Sequence, residues 1–189
     1  MGLSFRWDYS SKKMSEKIAL FFCSASFGID PKYNQAAREF VRAACLRDYV
    51  ISSGGTIKST MKVVVDEAKS CGARTLGVIP RFMAQYVHPD LDEVVWTESM
   101  SERKEKMREG TSLAVLLPGG IGSMDEFFET FTLAKLGRYS GKLIVVNVDG
   151  YYDKLKDLLD HFTEMGMLDS ASASLVHFAD TVEQFEQLI

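Results

Sequence analysis

The sequence predicts an α/β domain: an open parallel sheet with helices packed on both faces. Three observations carry this expectation. Short apolar segments recur without polar alternation (Ile18–Cys23, Thr75–Ile79, Ser112–Leu117 and Leu143–Val148), as expected of strands buried on both faces. Segments with helical spacing lie between them, and parallel strands need such crossovers, which are right-handed. The 189 residues contain no linker, repeat or low-complexity stretch and suit one hydrophobic core.

In chain order, Met1 to Ser15 is expected to be a loose tail, and residues 16–189 the single domain. Lys12, Lys13 and Lys17 before Ile18–Cys23 give a faint likeness to a secretory leader. Glu16 interrupts the basic stretch and the apolar run is short, so the segment reads as a first buried strand. Asn34–Tyr49 has helical spacing, with Ala37, Phe40, Val41, Ala44 and Cys45 on one side. Tyr49–Ser52 is a brief strand before Gly54-Gly55, and Ser59–Ser70 is helical. Thr75–Ile79 is a strand ended by Pro80, and Val94–Thr97 a shorter one. Met100–Glu109 is a charged helix. Ser112–Leu117 is a strand stopped by Pro118-Gly119-Gly120, and Met124–Leu136 is the helix that follows. Leu143–Val148 is a strand rich in β-branched residues. Tyr151–Met165 is a helix with Leu155, Leu158, Leu159 and Phe162 on one face, and Leu175–Phe178 and Thr181–Ile189 close the chain. Ligands of doubly wound sheets sit at the carboxyl ends of the strands. The loops after Cys23, Ser53, Ile79, Thr97 and Leu117 are therefore the places to look for function.

Composition excludes several classes. Hydrophobic residues make up 46% and charged residues 25%, with a net charge of −4, so there is no basic stripe of the kind nucleic acid requires. No apolar run reaches membrane-spanning length. The three cysteines, Cys23, Cys45 and Cys71, are odd in number and lack C-x-x-C spacing. They read as reduced, buried thiols of a cytoplasmic protein. His88, His161 and His177 are too scattered to suggest a metal site, and no cofactor signature is present.

Two segments carry the chemistry. Pro118-Gly-Gly-Ile-Gly-Ser-Met-Asp-Glu126 follows a buried strand and opens a helix. Its glycines let the backbone approach an anion, the helix start supplies unpaired N–H groups, and Ser123 is placed as the N-cap. Gly119, Gly120, Gly122 and Ser123 are thus a candidate phosphate cradle. The pattern is neither a P-loop nor a dinucleotide fingerprint, and no lysine follows the glycines. Ser123-x-x-Glu126 is equally a capping box. The second segment, Met100-Ser-Glu-Arg-Lys104, reads by itself as a solvated helix with Glu102 and Lys106 at i,i+4.

Together these segments resemble the Lonely Guy (LOG) family of phosphoribohydrolases, which activate cytokinin nucleotides and in bacteria often accept AMP. That family carries P-G-G-x-G-T-x-x-E, matched from Pro118 to Glu126 with Ser123 in place of Thr. It also carries M-x-x-R-K, matched at Met100, Arg103 and Lys104. Gly77-Val-Ile-Pro-Arg-Phe82 and Asn147-Val-Asp-Gly-Tyr-Tyr-Asp153 extend the likeness over residues 17–189. The resemblance implies a modified Rossmann-like fold and a homodimer or larger homo-oligomer with its site near the subunit interface. It also implies hydrolysis of the N-glycosidic bond of a nucleoside 5'-monophosphate, with Arg103 and Glu126 as the catalytic pair. Ser24, Ser26, Gly54, Gly55, Met100, Lys104 and the glycine-loop residues are expected to bind substrate, with no cofactor, although many members bear the label lysine decarboxylase. A carboxylate at Glu126 suits a sugar ring that gains positive charge as its base departs. Arg103 could position that carboxylate, bind phosphate or favour departure of the base.

Departures from the family pattern leave alternatives. Cys23-Ser-Ala-Ser-Phe-Gly28 stands where C-G-S-S-x-G is usual, and Thr56, Ser59 and Lys62 replace glycines of Y-G-G-G-x-x-G-L-M-G. Lys58 and Lys62 lie four apart at a helix start, a mildly unfavourable arrangement that solvation or a nearby anion would offset. The competing readings are a non-catalytic nucleotide- or molybdenum-cofactor-binding protein, and a structural homodimer with a decayed pocket.

Overall fold

The computed structural model describes residues 16–189, so the expected tail lies outside the described residues. One seven-stranded, wholly parallel sheet forms the centre, in the order β4-β3-β2-β1-β5-β6-β7. Its strands are β1 (Ile18–Phe22), β2 (Val50–Ser53), β3 (Thr75–Pro80), β4 (Glu93–Thr97), β5 (Leu113–Leu116), β6 (Lys142–Val146) and β7 (Val176–Ala179). The helices are α1 (Pro31–Cys45), α2 (Ser59–Ser70), α3 (Met100–Arg108), α4 (Ile121–Lys135), α5 (Asp153–Glu164), the one-turn α6 (Ser170–Ala173) and α7 (Val182–Leu188).

The strands are apolar on both faces because each face is covered. Ala19, Phe21 and Val115 pack with Phe40, Val64 and Phe185 of α1, α2 and α7. Leu20, Phe22 and Leu116 point the other way, onto Met107, Phe127 and Leu155 of α3, α4 and α5. The strand order reverses between β1 and β5, whose residues Phe22 and Leu116 are register partners. A crevice opens above such a switch point. It places the loop after Cys23 beside the loop after Leu117.

Several boundaries differ from the sequence expectation. Helix α1 starts at Pro31, not Asn34, because Asp30 caps it by accepting the Lys32 amide at 3.0 Å and proline suits the first helical position. It ends at Cys45, and Leu46 to Tyr49 form the turn into β2. Helix α4 starts three residues before Met124, with Gly120 as its N-cap and no side-chain capping bond. Ser123 is therefore inside the first turn, and the expected capping box does not form. The thiols are not uniformly buried either: Cys23 is buried, Cys45 half-buried and Cys71 exposed.

The segment that departs from the family glycines is held by other means. Lys62 pairs with Asp66 at 2.6 Å, and Lys58 sits over the Tyr86 ring at 3.6 Å. These contacts offset the lysine pair within the chain itself. Ser59 has φ +45°, a left-handed conformation that costs a non-glycine residue about 1–2 kcal/mol. Gly55 has φ +64°, and a Cβ there would stand 2.7 Å from the Gly77 Cα. Ser59→Gly should therefore raise the thermal midpoint by about 2–4 °C, because relief of strain exceeds the entropy that glycine adds to the unfolded chain. Gly55→Ala should lower it. Thermal denaturation of both variants checks this, and an unchanged or lower midpoint for Ser59→Gly would show that the conformation carries no strain.

Candidate active site

The crevice at the switch point has two adjoining compartments. One, of about 260 Å³, is lined by residues including Cys23, Met61, Met83, Met100, Arg103 and Glu126. The other, of about 220 Å³, includes Tyr33, Pro118, Gly119 and Tyr151. Ser24, Ser26 and Gly120 line both.

At the floor of the first lies a buried ion pair. Arg103 Nη1 donates to Glu126 Oε1 at 2.9 Å, and the two side chains are 6% and 8% exposed. Arg103 Nε donates to the Val78 carbonyl at 3.0 Å. Helix α3 supplies the arginine from a turn capped by Ser99, whose hydroxyl accepts the Glu102 amide at 3.1 Å. Gly54 makes room for the guanidinium, since a Cβ on Gly54 would overlap Arg103 Nη2. Nη2 has no acceptor among the described residues. Burial raises the Glu126 carboxyl above its usual value, and the Arg103 charge only partly opposes this. The same burial pushes the Cys23 thiol far up, so Cys23 is a packed wall rather than a nucleophile.

Above the pair, helix α4 points its N-terminus into the crevice. The first amides of a helix have no intrahelical partner, and here those of Ile121, Gly122 and Ser123 follow an N-cap without a capping side chain. Gly119 behaves differently from expectation. Its N–H donates to the Tyr152 hydroxyl at 3.1 Å, and its carbonyl accepts from the Tyr151 hydroxyl at 2.9 Å. Tyr152 also donates to the Leu117 carbonyl at 2.9 Å. Gly119 is thus braced from below instead of offering its amide to a ligand. It is needed as glycine because the Ser123 hydroxyl occupies the space of any Cβ.

The structure brings Ser24, Ser26, Met100, Arg103, Gly120, Gly122, Ser123 and Glu126 to one cavity. Lys104 is not among them. Its ammonium is drawn outward to Glu129 at 2.6 Å and Asp125 at 3.0 Å, and these carboxylates raise its pKa. Gly54 and Gly55 stand behind the wall, Gly54 against Arg103 and Gly55 against Gly77. Asp125, next to Glu126 in sequence, also reaches the cavity. Sequence reasoning missed Tyr151, Tyr152, Met61 and Met83. Tyr152 is 33 residues from Gly119, and no local pattern announces that contact.

The fold and site define a Rossmann-like α/β protein with a buried arginine–glutamate pair and an uncapped helix start at its switch point. The chain belongs to the family described as "Possible lysine decarboxylase", whose model matches residues 61–189. It is 29% identical over 164 residues to the cytokinin riboside 5'-monophosphate phosphoribohydrolase of Mycobacterium tuberculosis, covering 86% of this chain and 87% of that one. It is 28% identical to such a phosphoribohydrolase from Arabidopsis thaliana, covering 89% of this chain and 80% of that one. Among solved structures, the molybdenum cofactor binding protein of Rippkaea orientalis aligns with a TM-score of 0.71 at 19% identity, covering 93% of this chain and 96% of that one. The molybdenum cofactor carrier protein of Chlamydomonas reinhardtii gives 0.69 at 18%, covering 92% and 95%. At such identities these two share the fold alone.

The family description implies pyridoxal phosphate, which needs a lysine for its Schiff base. Among the described residues no lysine lines either compartment, and Lys104 is held away from them, so the residues present do not fit that group. No metal-binding cluster occurs among the described residues, and no helix there is long and apolar enough to cross a membrane.

The burial of Glu126 has a measurable consequence. Carbon-13 titration of its carboxyl should give a midpoint above the usual 4.5. Arg103→Ala should move that midpoint further up, because the guanidinium is what holds it down. A parent midpoint at or below the usual value would show that burial is not the dominant cause, and a downward move in Arg103→Ala would show that the guanidinium does not hold the carboxyl down.

Proposed function

We infer that the chain hydrolyses the N-glycosidic bond of a nucleoside 5'-monophosphate, AMP or a cytokinin riboside monophosphate, giving free base and ribose 5-phosphate. The observation that carries this reading is the buried Arg103–Glu126 pair beneath the uncapped start of α4. The names of the curated relatives support it. The phosphate is received by the amides of Ile121, Gly122 and Ser123, helped by the Ser24 and Ser26 side chains, since a helix start favours anions. That anchor sets the ribose over Glu126.

As the bond between C1' and the base nitrogen breaks, the ring carbon and oxygen gain positive charge, which the Glu126 carboxylate stabilises at close range. Water attacks C1', its proton passes to Glu126, and the departing nitrogen takes a proton from solvent. Arg103 keeps the carboxylate ionised and aimed. Met61, Met83 and Met100 give the base an apolar, adaptable wall.

The same reading makes the protein a homodimer or larger assembly in the cytoplasm, where its unpaired thiols stay reduced. The contact face would be the apolar hollow of Ile121, Met124, Phe128 and Leu133 on α4, where Ile121 is 90% exposed. Light scattering after size exclusion should give at least twice the 21.2 kDa chain mass, and Ile121→Glu should reduce it. A monomeric parent removes the dimer from the proposal.

Chromatography of the protein incubated with a panel of nucleoside monophosphates tests the activity. AMP should be cleaved and adenosine should not, because remote phosphate binding energy is spent on turnover. Glu126→Gln and Arg103→Ala should each lose about a hundredfold or more in kcat while staying folded. Near-parental turnover in both would dismiss the pair. Tight ligand binding with no base released would instead favour the non-catalytic nucleotide- or molybdenum-cofactor-binding alternative.

A further inference from the structure

The loop from Ser53 to Lys58 passes behind Arg103 and carries a buried side chain, Thr56. Thr56 is 1% exposed. Its hydroxyl oxygen accepts the Lys58 amide at 3.3 Å and donates its proton to Met61 Sδ at 3.2 Å. The backbone around it is tied on the far side. Thr56 forms an antiparallel bridge with Val87, the Ile57 N–H donates to the Tyr86 carbonyl at 2.8 Å, and the His88 N–H donates to the Gly55 carbonyl at 2.9 Å. These bonds leave the hydroxyl little choice of direction.

Met61 lines the cavity that holds Arg103 and Glu126. Its sulfur lies on the face of Gly54 that Arg103 Nη2 also occupies: a Cβ on Gly54 would be 3.0 Å from Sδ and would overlap Nη2. The thioether and the guanidinium therefore fill one space, and a change of Met61 rotamer alters the surroundings of the proposed catalytic arginine. Methionine is unbranched and flexible and does not hold one shape unaided.

The geometry points to Thr56 as a positioning residue: its hydroxyl pins the Met61 thioether as a fixed wall beside the Arg103 guanidinium. The kinetic consequence rests on the hydrolase reading, whereas the pinning does not. Ser24, Arg103 and Glu126 touch the ligand space directly, but Thr56 acts only through Met61.

Thr56→Val keeps the shape and removes the donor. It should lower kcat for AMP by about three- to tenfold, the range expected for one hydrogen bond, and change KM little. Thr56→Ser keeps the hydroxyl and should restore the parent rate. In a Met61→Leu background, Thr56→Val should cost nothing further, since the acceptor is already gone. If Thr56→Val does not fold, Met61→Leu carries the kinetic arm and should show the same loss. The carbon-13 shift of the Met61 methyl group should move to its rotamer-averaged value in Thr56→Val and stay in place in Thr56→Ser. An unmoved methyl resonance in Thr56→Val, or an equal loss of rate in the Met61→Leu background, overturns the proposal. If the parent releases base from no nucleoside monophosphate, only the hydrolase reading falls, and the methyl resonance alone decides whether Thr56 pins Met61.

Discussion

The placement of two opposite charges under the crevice governs most of the local architecture. Removing a guanidinium and a carboxylate from water costs several kcal/mol each unless good geometry compensates. The compensation here is specific: a backbone carbonyl from β3 for Nε, Glu126 for Nη1 and a missing side chain at Gly54. Strand β3, helices α3 and α4 and the loop after β2 must therefore agree in position before the pair can form. The pair is a weak source of stability and a strong constraint on arrangement. Its remaining edge, Nη2, has no acceptor among the described residues and lies against Gly54 beside the Met61 sulfur.

The sheet supplies this agreement cheaply. Because the strand order reverses between β1 and β5, the loops of Ser24 and Gly119 diverge to opposite sides and leave a crevice that no crossover covers. Helix α4 then begins at the crevice with its amides unspent. Had Ser123 capped the helix, with Glu126 returning to its amide as a capping box requires, the carboxylate would have been engaged with backbone. The glycine at the cap position and the serine within the first turn keep both the amides and Glu126 available.

Much of this was legible in the sequence, for identifiable reasons. Buried parallel strands leave apolar runs, so six of the strands could be read to within a residue or two, whereas the seventh, Val176–Ala179, falls in a closing segment whose type the pattern leaves open. Arg103 and Glu126 stood out through two ordered motifs. The errors arose where one pattern admitted two physical meanings. Ser123-x-x-Glu126 fits a capping box, but the helix has its N-cap at Gly120 instead, and the glutamate pairs with an arginine 23 residues away. Lys104 adjoins Arg103 in the motif, yet neighbouring helix positions face different directions, and acidic residues on α4 claim it. The start of α1 is written in Asp30-Pro31, a cap and a first-turn proline that lie outside the apolar spacing. Tyr151 and Tyr152 had no local signal, because their partners are set by the packing of α5 under the glycine loop.

That bracing by two phenols bears on how the crevice can change over time. A loop held by hydroxyls from beneath is ordered before any ligand arrives, so its ordering entropy is spent during folding and not during association. Its order does not depend on what fills the methionine-lined wall across the cavity. Changes to that wall can accumulate without loosening the loop, and a scaffold of this construction can drift between ligands while the proposed phosphate anchor stays put.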